Sequence, residues 1–275
     1  MSVPSAQFGH RPLSRVLPRP LRSLLGHPRV ELWVAAVLRS TAVSESARFA
    51  VRELSGRRST HLYRIRRTRL RAEIEHGTPD VHALDQAFYQ HAHEPPSSVA
   101  AALDGLGRPL RALDLGAHVG MWGLWLNERF RVERIVALEP DPRNVARHRR
   151  QIEVNGLGSS WEVIQAAAVT ADGPVSFTVG RGTNGQVTDA LQDGAASVAG
   201  RDAFALLDGL DLLKIDIEGG EWAILADPRA VALQVPVVML EYHAQAAPSA
   251  DPAADAKSAL ERAGYTTESA GETRP

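Results

Sequence analysis

The stretch Asp114-Leu115-Gly116-Ala117-His118-Val119-Gly120 ends an apolar run in an acid and then turns through two glycines into an amphipathic segment. A strand that breaks this way into a helix forms a binding edge. Glycines let a ligand approach the backbone, and amides at the start of the following helix favour a negative group such as a carboxylate. A second apolar run, Ile135-Val136-Ala137-Leu138-Glu139-Pro140, also ends in an acid, with Glu139 lying 23 positions after Gly116. In nucleotide-binding α/β folds a carboxylate at this distance accepts hydrogen bonds from ribose hydroxyls. The glycines are spaced G-x-x-x-G rather than G-x-G-x-x-G, so the pattern suits a nucleoside without phosphates better than a nicotinamide dinucleotide. A third run, Leu213-Lys214-Ile215-Asp216-Ile217-Glu218-Gly219-Gly220-Glu221, enters a charged, glycine-bearing turn. Strand alternation directs Lys214 and Asp216 to one side, and the turn brings Glu218 and Glu221 toward the same crevice.

These residues need a scaffold that lines up the carboxyl ends of several strands. From residue 111 the chain alternates short apolar runs with helical segments, the signature of a mostly parallel sheet with helices on both faces. The predicted strands cover 112–115, 134–139, 161–166, 212–216 and 235–242, and the clearest helices 119–128, 142–154, 220–225 and 252–263. A hairpin turned at Ala171-Asp172-Gly173 is expected between Ala168 and Phe177, followed by a GRGTNG loop over 180–185. Upstream, the prolines up to Pro28 suggest an irregular arm, residues 30–54 one or two helices, and Asp80 the N-cap of a helix running to about His91. The break at Pro95-Pro96 divides the chain into a basic, mainly helical N-terminal extension (1–95) and a Rossmann-like domain (96–275). Only ten residues follow Tyr265, so one sheet edge is expected to be abbreviated or completed by another chain.

The composition, 44% hydrophobic and 23% charged, excludes global disorder, and no run approaches the length of a membrane-spanning helix. The absence of cysteine excludes disulfides and thiol chemistry. Arginines crowd the first quarter, whereas the only lysines are Lys214 and Lys257. With no nucleic-acid module and no secretory signal, the basic end reads as a solvated surface, no nucleic-acid partner is expected, and a cytoplasmic location is the default.

Together the D-x-G-A-x-x-G turn (Asp114 to Gly120), Glu139-Pro140, Asn155-Gly156, the K-I-D-x-E-G stretch (Lys214 to Gly219) and a late E-x-H (Glu241, His243) resemble the FkbM-type methyltransferases, a branch of the class I S-adenosylmethionine-dependent enzymes. Gly77-Thr78-Pro79-Asp80 and Phe88-Tyr89 are similar to the segment preceding the family's catalytic domain. The resemblance implies a Rossmann-like class I methyltransferase fold and methyl transfer from S-adenosylmethionine to a small-molecule acceptor, typically a hydroxyl of a sugar or secondary metabolite. It further implies that Asp114, Gly116, Ala117, His118 and Gly120 line the methionine end of the cofactor. Glu139, with Pro140 and Asn144, would hold the ribose, Gln165 and Ala166 would flank adenine, and Asp216 would act on the cofactor amine. His118 stands where family members more often carry Asn.

A hydroxyl acceptor must also lose a proton. The strand-end candidates for this step are Asp216, Glu218, Glu241 and His243, with His243 and Asp216 ranked first, while Lys214 either stabilises a developing alkoxide or pairs with a carboxylate. The acids have the oxygen chemistry of a hard cation, but no spacing demands a metal and none is assigned. A nicotinamide-dependent oxidoreductase and a catalytically silent nucleoside-binding domain are the alternative classes.

Overall fold

Pro28 at a helix start and the apolar spacing that follows it give α1 (Pro28–Ser40), which is followed by α2 (Ser46–Leu54). The computed structural model describes residues 28–178, 187–188 and 195–268, in two compact units, 28–94 and 95–268. The arm before Pro28 and the 180–185 loop lie outside the described residues.

In the first unit, α2 leads into an antiparallel hairpin of β1 (Ser59–Arg64) and β2 (Arg71–His76), and α3 (Asp80–Phe88) closes it. Val43, Phe49, Tyr63, Ile65, Ala72, Ile74 and Leu84 form its buried centre. The hairpin departs from the mainly helical expectation. Its buried alternation, Tyr63 and Ile65 against Ala72 and Ile74, is interleaved with exposed Arg64, Arg66, Arg69 and Arg71, which hides the period-two pattern. Asp80 is not the cap of α3. It already lies inside the helix, Pro79 holds the cap position, and the Asp80 carboxylate accepts the Glu75 amide at 2.9 Å.

The second unit opens with α4 (Ser97–Asp104) and then builds a five-stranded sheet in the order β11-β10-β3-β4-β5. Its strands are β3 (Leu110–Leu115), β4 (Val132–Leu138), β5 (Trp161–Ile164), β10 (Leu212–Ile215) and β11 (Val237–Leu240), and every pairing is parallel. β3 is central and buried along nearly its whole length, as a parallel strand covered on both faces must be. Leu113, Leu115, Leu138, Leu213 and Ile215 form the core with Ile224 and Val235. Truncating a fully buried leucine such as Leu113 to alanine costs about 2 to 5 kcal/mol.

The helices are punctuated by their own sequences. In α6 (Pro142–Asn155), Asp141 caps the Arg143 amide at 2.8 Å, Pro142 takes the first position, and Gly156 ends the helix in the left-handed region at φ 67°. α5 (Met121–Arg129) buries Met121 through Leu126 and packs so closely on β5 that a Cβ on Gly123 would overlap the Trp161 ring. α7 (Glu221–Ala226) and α8 (Pro252–Arg262) pack together through Trp222, Leu225 and Ala256.

A second sheet runs β6-β9-β7-β8, formed by β6 (Ala167–Val169), β7 (Gly173–Thr178), β8 (Val187–Thr188) and β9 (Ala195–Asp202). This corrects the expected hairpin: β6 and β7 do not pair with each other, because β9 lies between them, parallel to β6 and antiparallel to β7. Gly200 makes the insertion possible, since a Cβ there would lie 2.8 Å from Val169 and 2.9 Å from the Gly173 carbonyl oxygen. Asp172 does not turn a hairpin but accepts the Asp202 amide at 2.8 Å. No helix among the described residues is long and apolar enough to cross a membrane.

Candidate functional site

Neighbouring parallel strands place side chains of one row on one face, and the register pairs Lys214 of β10 with Asp114 of β3. The Lys214 ammonium lies 3.2 Å from Asp114 Oδ1, 3.1 Å from Asp216 Oδ2 and 3.4 Å from the Gly116 carbonyl oxygen. Burial works against its charge, but Asp114, Asp216 and Glu241 outweigh burial and raise its pKa. Lys214 therefore stays a cation, already neutralised by its partners.

The turn after β3 folds onto the turn after β10. Gly116 has φ 83°, and a Cβ on it would lie 1.7 Å from the Asp216 carbonyl oxygen. Gly120 has φ 85°, and a Cβ there would lie 2.7 Å from the His148 ring. Both glycines are thus demanded by protein neighbours, which sharpens the expectation that they make room for a ligand. His148 is itself walled in by Trp161, ring centroids 4.8 Å apart, and burial lowers its pKa to about 3. Burial likewise lowers His118, at φ 49°, to about 4. Both rings are neutral near pH 7.

Glu139, just past β4, is tied into the same edge. Its Oε2 accepts the His118 amide at 2.8 Å, and its Oε1 accepts the Asp141 amide at 2.8 Å and Asn144 Nδ2 at 3.2 Å. Burial pushes its pKa up to about 7, and these donors offset part of the rise. Ala117 is buried, its amide bonded to the Leu138 carbonyl at 3.0 Å. Pro140 follows Glu139 in the same turn and is partly exposed, Gln165 is exposed just past the end of β5, and Ala166 beside it is buried.

The densest charge lies past β10 and β11. Glu218 holds a left-handed backbone at φ 54°, which a non-glycine residue adopts at a cost of about 1 to 3 kcal/mol. Glu221, the first residue of α7, turns its fully buried carboxylate back. Its Oε2 accepts the Gly219 amide at 2.8 Å, and its Oε1 accepts the His243 amide at 2.5 Å and faces His243 Nδ1 at 3.1 Å. The other ring nitrogen, Nε2, lies 3.3 Å from Glu218 Oε2. Burial opposes a charge on His243, but the hydrogen bond to Glu221 and the charges of Glu218, Glu221 and Asp216 raise its pKa to about 9. Burial pushes Glu218 up to about 7, with His243 pulling it back and Asp216 and Glu221 pushing it further up. Glu241 is also raised to about 7, by burial and by Asp216 and Glu218, against the pull of Lys214 and His243.

Asp216, Glu241 and His243 each offer an atom within 4.8 Å of the others. Within this set Asp216 is ion-paired with Lys214, and His243 lies between Glu218 and Glu221. The structure thus gathers Asp114, Lys214, Asp216, Glu218, Glu241 and His243 into one cluster. Glu139, Asn144 and the His118 backbone form a second, and His118 lies near enough to Asp216 to feel its charge. Sequence reasoning brought Glu221 to the crevice without a role, and it missed His148 altogether. The acid at the first position of α7 was the available signal for Glu221.

An all-parallel sheet with a glycine turn after its central strand, an acid near the end of β3 and acids past the ends of β4, β10 and β11 is a Rossmann-like α/β methyltransferase fold. The chain belongs to the FkbM methyltransferase family: the family's Methyltransferase FkbM domain matches residues 114–267, more than half of the chain. A crystal structure of Methyltransferase FkbM from Methylobacillus flagellatus KT is 20% identical over 54% of this chain and 38% of that one, with a TM-score of 0.33. The chain therefore aligns with well under half the length of that protein. No curated protein matches it significantly.

Proposed function

We propose that the protein transfers a methyl group from S-adenosylmethionine to a hydroxyl of a small polar acceptor, such as a sugar or a natural product, through a domain spanning 96–275, with 1–95 as an N-terminal extension. The observation that carries this reading is the charge balance at the strand ends. Among the described residues, Asp114, Asp216, Glu218, Glu221 and Glu241 have Lys214 and the His243 ring as their cationic neighbours, and Lys214 is shared by Asp114 and Asp216. Such a site suits a cationic sulfonium nucleoside and repels a pyrophosphate, which argues against a nicotinamide cofactor. When bound, S-adenosylmethionine supplies an electrophilic methyl group on a sulfur that leaves readily.

The chain's own task is positioning and proton removal. Glu139 retains lone pairs for ribose hydroxyls beside the bonds to its own loop. Asp216 and Glu241 hold positive charge near the strand ends. With the donor bound, the acceptor oxygen would take up its methyl group, and the hydroxyl proton would pass to a site carboxylate. Glu218 suits that role: its pKa of about 7 lies near a working pH, its side chain is 19% exposed, and its left-handed backbone belongs to the turn after β10. His243, ranked first with Asp216 on sequence grounds, is already protonated below about pH 9, and Asp216 is ion-paired with Lys214.

Isothermal titration tests the cofactor: S-adenosylmethionine and its demethylated product should bind and NAD should not, and a protein that never binds S-adenosylmethionine overturns the reading. Glu218→Gln should keep donor binding and lose about 10² to 10⁴-fold in methyl transfer.

A further inference from the structure

We propose that Glu221 is a positioning residue, whose buried carboxylate fixes the His243 ring with Nε2 turned to Glu218 and thereby tunes Glu218 as the proton acceptor. The inference rests on the reading of the site as a methyl-transfer centre and adds to it a residue that never touches the reacting atoms.

The geometry leaves His243 little freedom. Its amide donates to Glu221 Oε1 at 2.5 Å, and its carbonyl accepts Trp222 Nε1 at 2.7 Å, so two successive residues of α7 hold its backbone from both sides. The ring then has only its side-chain torsions to choose. A carboxylate 3.1 Å from Nδ1 selects the orientation in which that nitrogen carries a proton, which leaves Nε2 facing Glu218 at 3.3 Å. Hydrogen bonds to an ionised acceptor are about twice as strong as neutral ones. Glu221 is fully buried and reaches three N–H groups, counting Gly219 at 2.8 Å. The carboxylate is thus held by the backbone at two points and spends its third contact on the imidazole.

The charged groups that face the ring come from every neighbouring element. Glu221 belongs to α7, Glu218 to the turn, Asp216 and Lys214 to β10 and its end, and Glu241 to the end of β11. Among them Glu221 alone hydrogen-bonds to the far side of the ring from Glu218. Its charge keeps His243 cationic, and the cation in turn restrains the rise in the proton affinity of Glu218. Without Glu221 the imidazole gives up its proton at lower pH, and wherever it is neutral Glu218 loses that cation, an effect larger than the relief of Glu221's own repulsion of Glu218.

Glu221→Gln, which keeps size but removes the charge and one of the two accepting oxygens, is the test. The His243 ring is followed by NMR through a pH titration of the donor-free protein, so this readout does not depend on turnover. Wild type should titrate near pH 9, and the variant about one unit or more lower, the scale on which a lost carboxylate partner acts. In methyl transfer, the acid limb of the kcat profile should move to higher pH and kcat at pH 7 should fall severalfold. Glu221→Asp, which keeps the charge, should recover part of both effects and stands in if Glu221→Gln does not fold. A folded variant with the wild-type His243 midpoint, or with an unmoved acid limb, overturns the proposal. A wild-type protein that transfers no methyl group sinks the functional reading instead, and the His243 titration still decides whether Glu221 sets the ring.

Discussion

The protein contains two carboxylate–imidazole pairs built alike and placed differently. In the first unit His76 Nδ1 lies 2.9 Å from Glu53 and Nε2 lies 2.7 Å from the Tyr63 hydroxyl, which also accepts Arg52 at 3.0 Å. In the second, His243 stands between Glu221 and Glu218. The His76 side chain is 1% exposed, packed against Phe49 at a centroid distance of 4.8 Å, while that of His243 is 12% exposed and ringed by acids. What separates them is the group at the second nitrogen. A tyrosine that both donates and accepts closes the first network upon itself. A carboxylate raised to about 7 leaves the second with a proton to exchange. Ring and first carboxylate alone therefore do not mark a site.

The sharpest way to break this contrast is a reciprocal pair of substitutions. His243→Ala should lower turnover per folded molecule about 10²-fold or more, beside a stability loss from the stranded Glu221 carboxylate. His76→Ala should cost about 3 to 5 kcal/mol in urea unfolding through the cavity and the stranded Tyr63 and Glu53, with turnover per folded molecule unchanged. Matching losses of activity in both variants would erase the distinction.

A smaller effect is expected from Tyr63→Phe, which removes the hydroxyl that His76 and Arg52 share. Leaving the buried His76 ring unmatched costs about 1 to 3 kcal/mol, readable in the same unfolding experiment. A fully stable Tyr63→Phe protein would mean the first network is not closed by that hydroxyl.

The smallest effect is a pH dependence of stability. His243 takes up its proton more tightly folded than unfolded, so its contribution is complete below about pH 6.5 and is lost as pH rises to about 9. Glu139, Glu218 and Glu241 are raised from 4.5 to about 7, so their contributions also shrink with rising pH, mainly between those values. The thermal midpoint of the donor-free protein should therefore fall from pH 6.5 to 9, and His243→Gln should flatten the upper half of that fall. A midpoint that climbs over this range contradicts the assignment.

The strand-to-turn segments were legible because each carries its own information: an apolar run, a terminal acid and a glycine within about eight residues. The helix α6, expected over 142–154 and found over Pro142–Asn155, was readable for the same reason. What sequence alone did not reveal depends on distant partners. β9 separates β6 from β7 through pairings that join Gly200 to both Ala167 and Gly173, which no local window contains. Glu221 acquires its role only when the chain returns with His243. The β1–β2 hairpin was hidden by arginines on its exposed positions, and Asp80 looked like a cap until its carboxylate was found bonded to Glu75.

Gly116 leaves no space between the turn after β3 and the carbonyl of Asp216. The two turns are therefore keyed together like a tongue in a slot, and neither opens without the other. Any gate that admits donor or acceptor has to be hung on other segments, and a variant that loosens this joint would disturb both halves of the site at once.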